Sequence, residues 1–162
     1  MWVCFSSNSF NGQLSEETSN IPPTVGFNIK TVLVDAFKVN IWDVGGQRSI
    51  RAFWRNYFDT TDGLVWVVDS SDTHRLEDCK SELHKLLSED RLSGASLLVI
   101  ANKQDVPGAT SPAEISRILN VEEISHKRHC AIFACSAFDA KSVSDSINWI
   151  IHDIGSRIYT LR

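Results

Sequence analysis

The sequence predicts one α/β domain built on a doubly wound, mostly parallel sheet. Three observations predict it. Unbroken apolar runs at 64–68, 97–101 and 131–134 end at Asp69, Asn102 and Cys135-Ser136, the pattern of strands buried on both faces. Amphipathic helical stripes lie between and after them. A pair of β-prone runs precedes them, and strands alternating with helices give this architecture.

The elements follow in order. Met1 to Phe5 is a short apolar run, and Ser6 to Asn20 is rich in Ser, Asn, Glu and Thr, as loops are. Phe27–Val34 and Phe37–Trp42 flank Asp35-Ala36 and predict a hairpin. Gly45-Gly46 breaks the chain, and Ser49 to Phe58 reads as an irregular helix. Leu76, Cys79, Leu83, Leu86 and Leu87 share one helical face. So do Val143, Ile147, Ile150, Ile151, Ile154 and Ile158. Ser111-Pro112-Ala113-Glu114 is a capping box with proline at the first helical position. No repeat, low-complexity tract or linker interrupts this order.

Bulk properties narrow the function classes. A chain of 162 residues with 43% hydrophobic residues holds one core. The net charge of -4, with both signs interspersed, argues against nucleic acid or an anionic membrane as partner. Cys4, Cys79, Cys130 and Cys135 form no C-x-x-C pair, so reduced thiols are expected rather than a disulfide framework or zinc site. No apolar stretch approaches spanning length, and the first residues do not pattern as a secretory signal. Trp2 stands where an N-myristoylated chain needs glycine, so no myristoyl anchor is expected. A cytoplasmic monomer is the resulting expectation.

In a doubly wound sheet, ligands bind beyond the carboxyl ends of the strands. That directs attention to Asp43–Gln47, Asp69-Ser70, Asn102–Asp105 and Cys135–Ala137. In Asn102-Lys103-Gln104-Asp105, the Asp105 carboxylate suits the ring N–H and 2-amino group of guanine, a pair that adenine lacks. Asn102 would meet the other edge of the base and brace the loop, and the Lys103 stem would lie over the ring. Backbone N–H groups at Ser136-Ala137 would donate to the guanine carbonyl. A polar turn after a strand is the competing reading. In Trp42-Asp43-Val44-Gly45-Gly46-Gln47, Asp43 suits a phosphate-bound Mg²⁺ and the Gly46 N–H a terminal phosphate. Gln47 suits the orientation of an attacking water, and a capped glycine turn is the alternative. In Pro22-Pro23-Thr24-Val25-Gly26-Phe27-Asn28, Thr24 suits Mg²⁺ and a γ-phosphate; a proline-rich approach to a hairpin competes.

The order and spacing of these pieces resemble the Arf-like small GTPases. P-T-x-G-F-N around Thr24 resembles switch I, and W-D-V-G-G-Q with Phe53 to Phe58 resembles switch II. A-N-K-Q-D and Cys135-Ser136-Ala137 resemble the base-contacting loops. The resemblance covers about Phe10 to Tyr159, and the wording is most similar to the Arl branch linked to tubulin-folding cofactors and prenyl-binding carriers. It implies a small-GTPase fold of the P-loop NTPase type. It also implies a GTP/GDP switch with Mg²⁺ and slow hydrolysis positioned by Gln47. Effector and regulatory proteins would meet residues 24–58, with Phe27, Trp42 and Tyr57 in an effector-facing cluster. Core packing is the rival reading for each aromatic, Trp42 above all.

The start of the chain departs from this pattern. No Gly-Lys dipeptide occurs anywhere, and Gly12 is the only glycine before Thr24, whereas a phosphate loop reads G-x-x-x-x-G-K-[ST]. The expected division is an unrelated segment 1–9 and an Arf-like domain 10–162, incomplete at its start. The first strand, phosphate loop and first helix are then absent or replaced, and impaired nucleotide binding is expected. Trp2–Phe5 is a candidate to fill the strand's place in the sheet. The alternatives are a nucleotide-free binding module and a truncated product of an ordinary switch.

Overall fold

The core begins with the apolar runs. In the computed structural model, which describes residues 2–7, 27–34, 37–45 and 48–160, these runs become three adjacent parallel strands. β4 (Gly63–Asp69), β5 (Ser96–Asn102) and β6 (Cys130–Ala134) pair in that order. Leu64, Val65, Leu97, Leu98 and Val99 are almost wholly buried, as covering on both faces requires. The hairpin forms as β2 (Phe27–Val34) and β3 (Phe37–Val44), with Val34 opposite Phe37.

β3 runs two residues beyond the Trp42 end expected from sequence. Strands on both sides hold it there, since Val44 is in register with Phe27 of β2 and Trp2 of β1. β1 (Trp2–Ser7) fills the position between β3 and β4, and the sheet order is β2-β3-β1-β4-β5-β6. The backbone groups of β3 and β4 are thereby paired, and β1 is antiparallel to both neighbours. β3, β4, β5 and β6 therefore point one way, and β1 and β2 the other.

Helices cover both faces. α1 (Leu76–Leu87) buries Leu76, Leu83 and Leu86, with Cys79 and Leu87 partly buried beside them. α2 (Pro112–Leu119) starts where the Ser111 side chain accepts from the Glu114 N–H at 3.2 Å. It ends at Asn120, whose φ of 57° turns the chain into the short α3 (Val121–Ser125). That left-handed turn is one asparagine tolerates, and the sequence reading did not separate α3 as an element. The irregular helix after β3 is a 3₁₀ helix, Arg48–Thr60, anchored by buried Trp54 and Phe58.

On the opposite face α4 (Ala140–Thr160) packs Ile150, Ile151 and Ile154 against Val65 and Leu98. Gly63 permits the approach, since a Cβ there would lie 2.7 Å from Ile154 Cδ1 and 2.9 Å from Ile150 Cδ1. Val143, expected on the buried stripe, is exposed in the first turn of α4, before the helix reaches the buried isoleucines. The side chain of Ile158 lies outside the described residues.

Candidate functional site

The polar residues that end the parallel strands collect at one edge of the sheet. Asp69 closes β4 directly beside Asn102, which closes β5. The Ser70 N–H donates to the Asn102 carbonyl at 3.1 Å, and the Thr110 N–H to the Ser70 carbonyl at 2.8 Å. After Asn102 the chain turns sharply through Lys103, whose φ is 64°. A lysine in this left-handed region costs about 1–2 kcal/mol, so its surroundings must fix it.

Several contacts do so. The Val106 N–H closes the turn onto the Lys103 carbonyl at 3.0 Å. The Gln104 N–H donates to the Cys135 carbonyl at 3.1 Å, and Gln104 Nε2 to the Thr110 carbonyl at 3.0 Å. Asn102 Oδ1 accepts from the Ala137 N–H at 3.1 Å. Ser136, buried, turns the next loop by accepting from the Phe138 N–H at 3.2 Å. The loops after β5 and β6 are thus fastened to each other, while Asp105 is exposed at their edge.

The sequence brought Asn102, Lys103, Asp105, Ser136 and Ala137 forward as one base-recognising set, and the fold places them in two loops fastened together. Sequence reading marked Asp69 only as a strand-end residue. Its carboxylate accepts from Lys103 Nζ at 2.6 Å, from the Ser71 hydroxyl at 2.6 Å and from the Ser71 N–H at 3.0 Å. Burial works to raise its pKa, but these hydrogen bonds and the Lys103 charge outweigh it and hold the carboxyl below the usual carboxylate range. The available signal was its position, one residue after an apolar run.

The other expected residues lie toward the hairpin. Asp43 sits within β3, opposite Val3 and Asn28, and is partly buried. Thr24, Gly46 and Gln47 lie outside the described residues, and Phe27 is described only as the first residue of β2, opposite Val44. The rings of Trp42 and Tyr57 meet with centroids 4.8 Å apart at 44°. Both are partly buried against the core, so the core-packing reading of Trp42 holds. The 3₁₀ helix carrying Tyr57 is tied to the end of β3 by Trp54 Nε1, which donates to the Gly45 carbonyl at 3.2 Å.

The direction of β1 bears on what this edge can hold. In a strand–phosphate loop–helix unit the loop leaves the carboxyl end of the strand, where the sheet's other ligand-binding loops lie. The carboxyl end of β1 is at the opposite edge: Ser7 is in register with Val39, and Phe5 with Gly63, the first residue of β4. Trp2, at the other end, stands opposite Trp66, short of Asp69. The carboxyl end of β1 therefore lies away from the edge that carries Asp69 and Asn102.

Known proteins share this sequence pattern and this fold. A family model described as the ADP-ribosylation factor family matches residues 11–154. The chain is 56% identical over 146 residues to ADP-ribosylation factor-like protein 2 of Arabidopsis thaliana, covering 90% of this chain and 79% of that protein. It is 53% identical over 152 residues to the protein of the same name from Drosophila melanogaster, covering 94% and 80%. The Arl6 BBS3 small GTPase of Trypanosoma brucei, solved with the bound nucleotide analogue GppNp, matches with a TM-score of 0.79 at 29% identity, over 87% of this chain and 86% of that one.

Proposed function

The chain belongs to the ADP-ribosylation factor family of small GTPases, and on that premise we propose that it is a guanine-recognising switch module with severely weakened nucleotide binding. The observation that carries this reading is the antiparallel course of β1 in the slot between β3 and β4. Guanine recognition falls to Asn102, Lys103 and Asp105 with the Ser136-Ala137 backbone, a set supported by the fastened loops.

When bound, GTP with Mg²⁺ supplies the γ-phosphate that distinguishes the two states of such a switch. Thr24 and Asp43 are the residues proposed for the metal, Gly46 for the terminal phosphate and Gln47 for the water. A phosphate loop would also supply backbone N–H groups, a lysine and a hydroxyl. This chain contains no Gly-Lys dipeptide, and the carboxyl end of β1 lies at the far edge. No hydrolytic step is assigned to it.

A second reading rests on the assembled Trp42–Tyr57 face. Residues 24–58 then serve as a docking surface for effector or regulatory proteins, of the tubulin-folding-cofactor or prenyl-carrier kind, without nucleotide control. The deciding measurement is the nucleotide released when the purified, folded chain is denatured, with a fluorescent GDP analogue titrated in Mg²⁺. Less than a few per cent occupancy is expected. Near-stoichiometric GDP or GTP overturns the proposal and returns the chain to the ordinary switches of its family.

A further inference from the structure

We propose that Asp69 is a positioning residue for guanine recognition: it holds the Lys103 ammonium, so that the lysine stem is laid across the floor of the base site. This rests on the guanine reading of the Asn102–Asp105 loop given above.

The geometry points to this role in three ways. First, Asp69 and Asn102 are cross-strand neighbours at the ends of β4 and β5, so the carboxylate sits beside the residue that starts the recognition loop. Second, the carboxylate is itself fixed: Ser71 donates to Oδ1 through both its N–H and its hydroxyl, leaving Oδ2 for Lys103 Nζ at 2.6 Å. Third, Lys103 has a left-handed backbone, φ 64°, fixed by the Val106 N–H on its carbonyl at 3.0 Å. A lysine otherwise spends considerable rotamer entropy on adopting one pose. Anchoring the ammonium at one end and the strained backbone at the other removes most of that freedom before a base arrives, which is preorganisation.

Asp69 and Lys103 are both about half exposed, and a bare surface pair of this kind contributes little to stability. The pair's effect therefore falls on recognition rather than on folding. A planar base laid on the stem would gain from a preformed surface whatever its exocyclic groups. Asp105 would supply the discrimination.

The test uses the full chain, with guanosine and inosine as probes so that phosphates play no part, and saturation-transfer NMR for affinity. Asp69→Asn, which keeps an acceptor for Ser71, should weaken both nucleosides about 5- to 10-fold, leave their ratio unchanged and leave the melting temperature within a degree or so. Asp105→Asn should instead collapse the preference for guanosine. In a Lys103→Met background, which keeps the stem and removes the ammonium, Asp69→Asn should have no further effect. Equal binding by wild type and Asp69→Asn overturns the inference while leaving the guanine site standing, as do losses that simply add in the double variant. A folded wild-type chain that binds neither nucleoside overturns the guanine reading and this inference together.

Discussion

Asn102 Oδ1 accepts a hydrogen bond from the Ala137 N–H at 3.1 Å, joining the loop after β5 to the loop after β6 across 35 residues of sequence. One side chain therefore organises both halves of the proposed base site. Asn102→Ala should hand the exposed Ala137 N–H to water and cost about 0.5–1.5 kcal/mol. The diagnostic result is local: amide hydrogen exchange at Ala137 should accelerate, while exchange at Leu98 and Val99 in the core of β5 follows only the global loss. Asn102→Asp keeps an acceptor oxygen and should retain the protection. Unchanged exchange at Ala137 in the alanine variant would refute the bracing role.

The interior position of β1 makes a second claim that mutation can check. Cys4 is in register with Trp42 on one side and Leu64 on the other. A proline there removes an N–H between two strands, where water cannot replace the lost bond. Cys4→Pro should therefore destabilise the chain by about 1–3 kcal/mol, read from the urea midpoint, and by more than Cys4→Val, which keeps the N–H. If proline is tolerated as well as valine, β1 is not held between β3 and β4.

Much of this arrangement was legible locally. The runs 64–68 and 97–101 are apolar at every position, and only strands covered on both faces require that. The Ser111 cap is a contact over three residues, well within what a sequence pattern encodes. The direction of β1 was not legible, because Trp2–Ser7 has the same composition read either way and its neighbours were set by an empty slot elsewhere. Asp69 escaped for a related reason: its partner Lys103 is 34 residues away, and only the β4–β5 register brings them together. Val143 misled because helical periodicity continues past the point where the helix has a neighbour to pack on.

A third prediction concerns the seat of α4 on the sheet. Gly63→Ala would place a methyl group 2.7 Å from Ile154 Cδ1 and 2.9 Å from Ile150 Cδ1. Overpacking of this sort costs about 1–3 kcal/mol. Ile154→Val removes the closer methyl and alone should cost about 0.5–1.5 kcal/mol. Combined, the two should be less damaging than their sum, because each relieves the other. Denaturation of the four chains measures the coupling, and strict additivity would show that α4 does not sit as described.

The last prediction concerns acid stability at the opposite edge from the candidate site. Asp153 on α4 accepts from the Ser96 hydroxyl at 2.5 Å and lies 2.8 Å from His129 Nδ1. Arg157 reaches from the next turn to Asp153 and to the Ser96 hydroxyl, and donates to the Gly94 carbonyl at 2.7 Å. Burial works to raise the Asp153 pKa, but the bonds from Ser96 and His129 and the Arg157 charge outweigh it, so the folded pKa lies below the usual aspartate range. A carboxylate with a depressed folded pKa contributes stability that is complete above its unfolded pKa. That contribution is lost as pH falls through the folded value. Unfolding free energy should therefore fall below about pH 4 in the wild type. Asp153→Asn should be less stable at neutral pH and should lack this component, so the two curves converge as the pH drops. Parallel curves over that range would remove Asp153 from the acid response and assign it to other carboxylates.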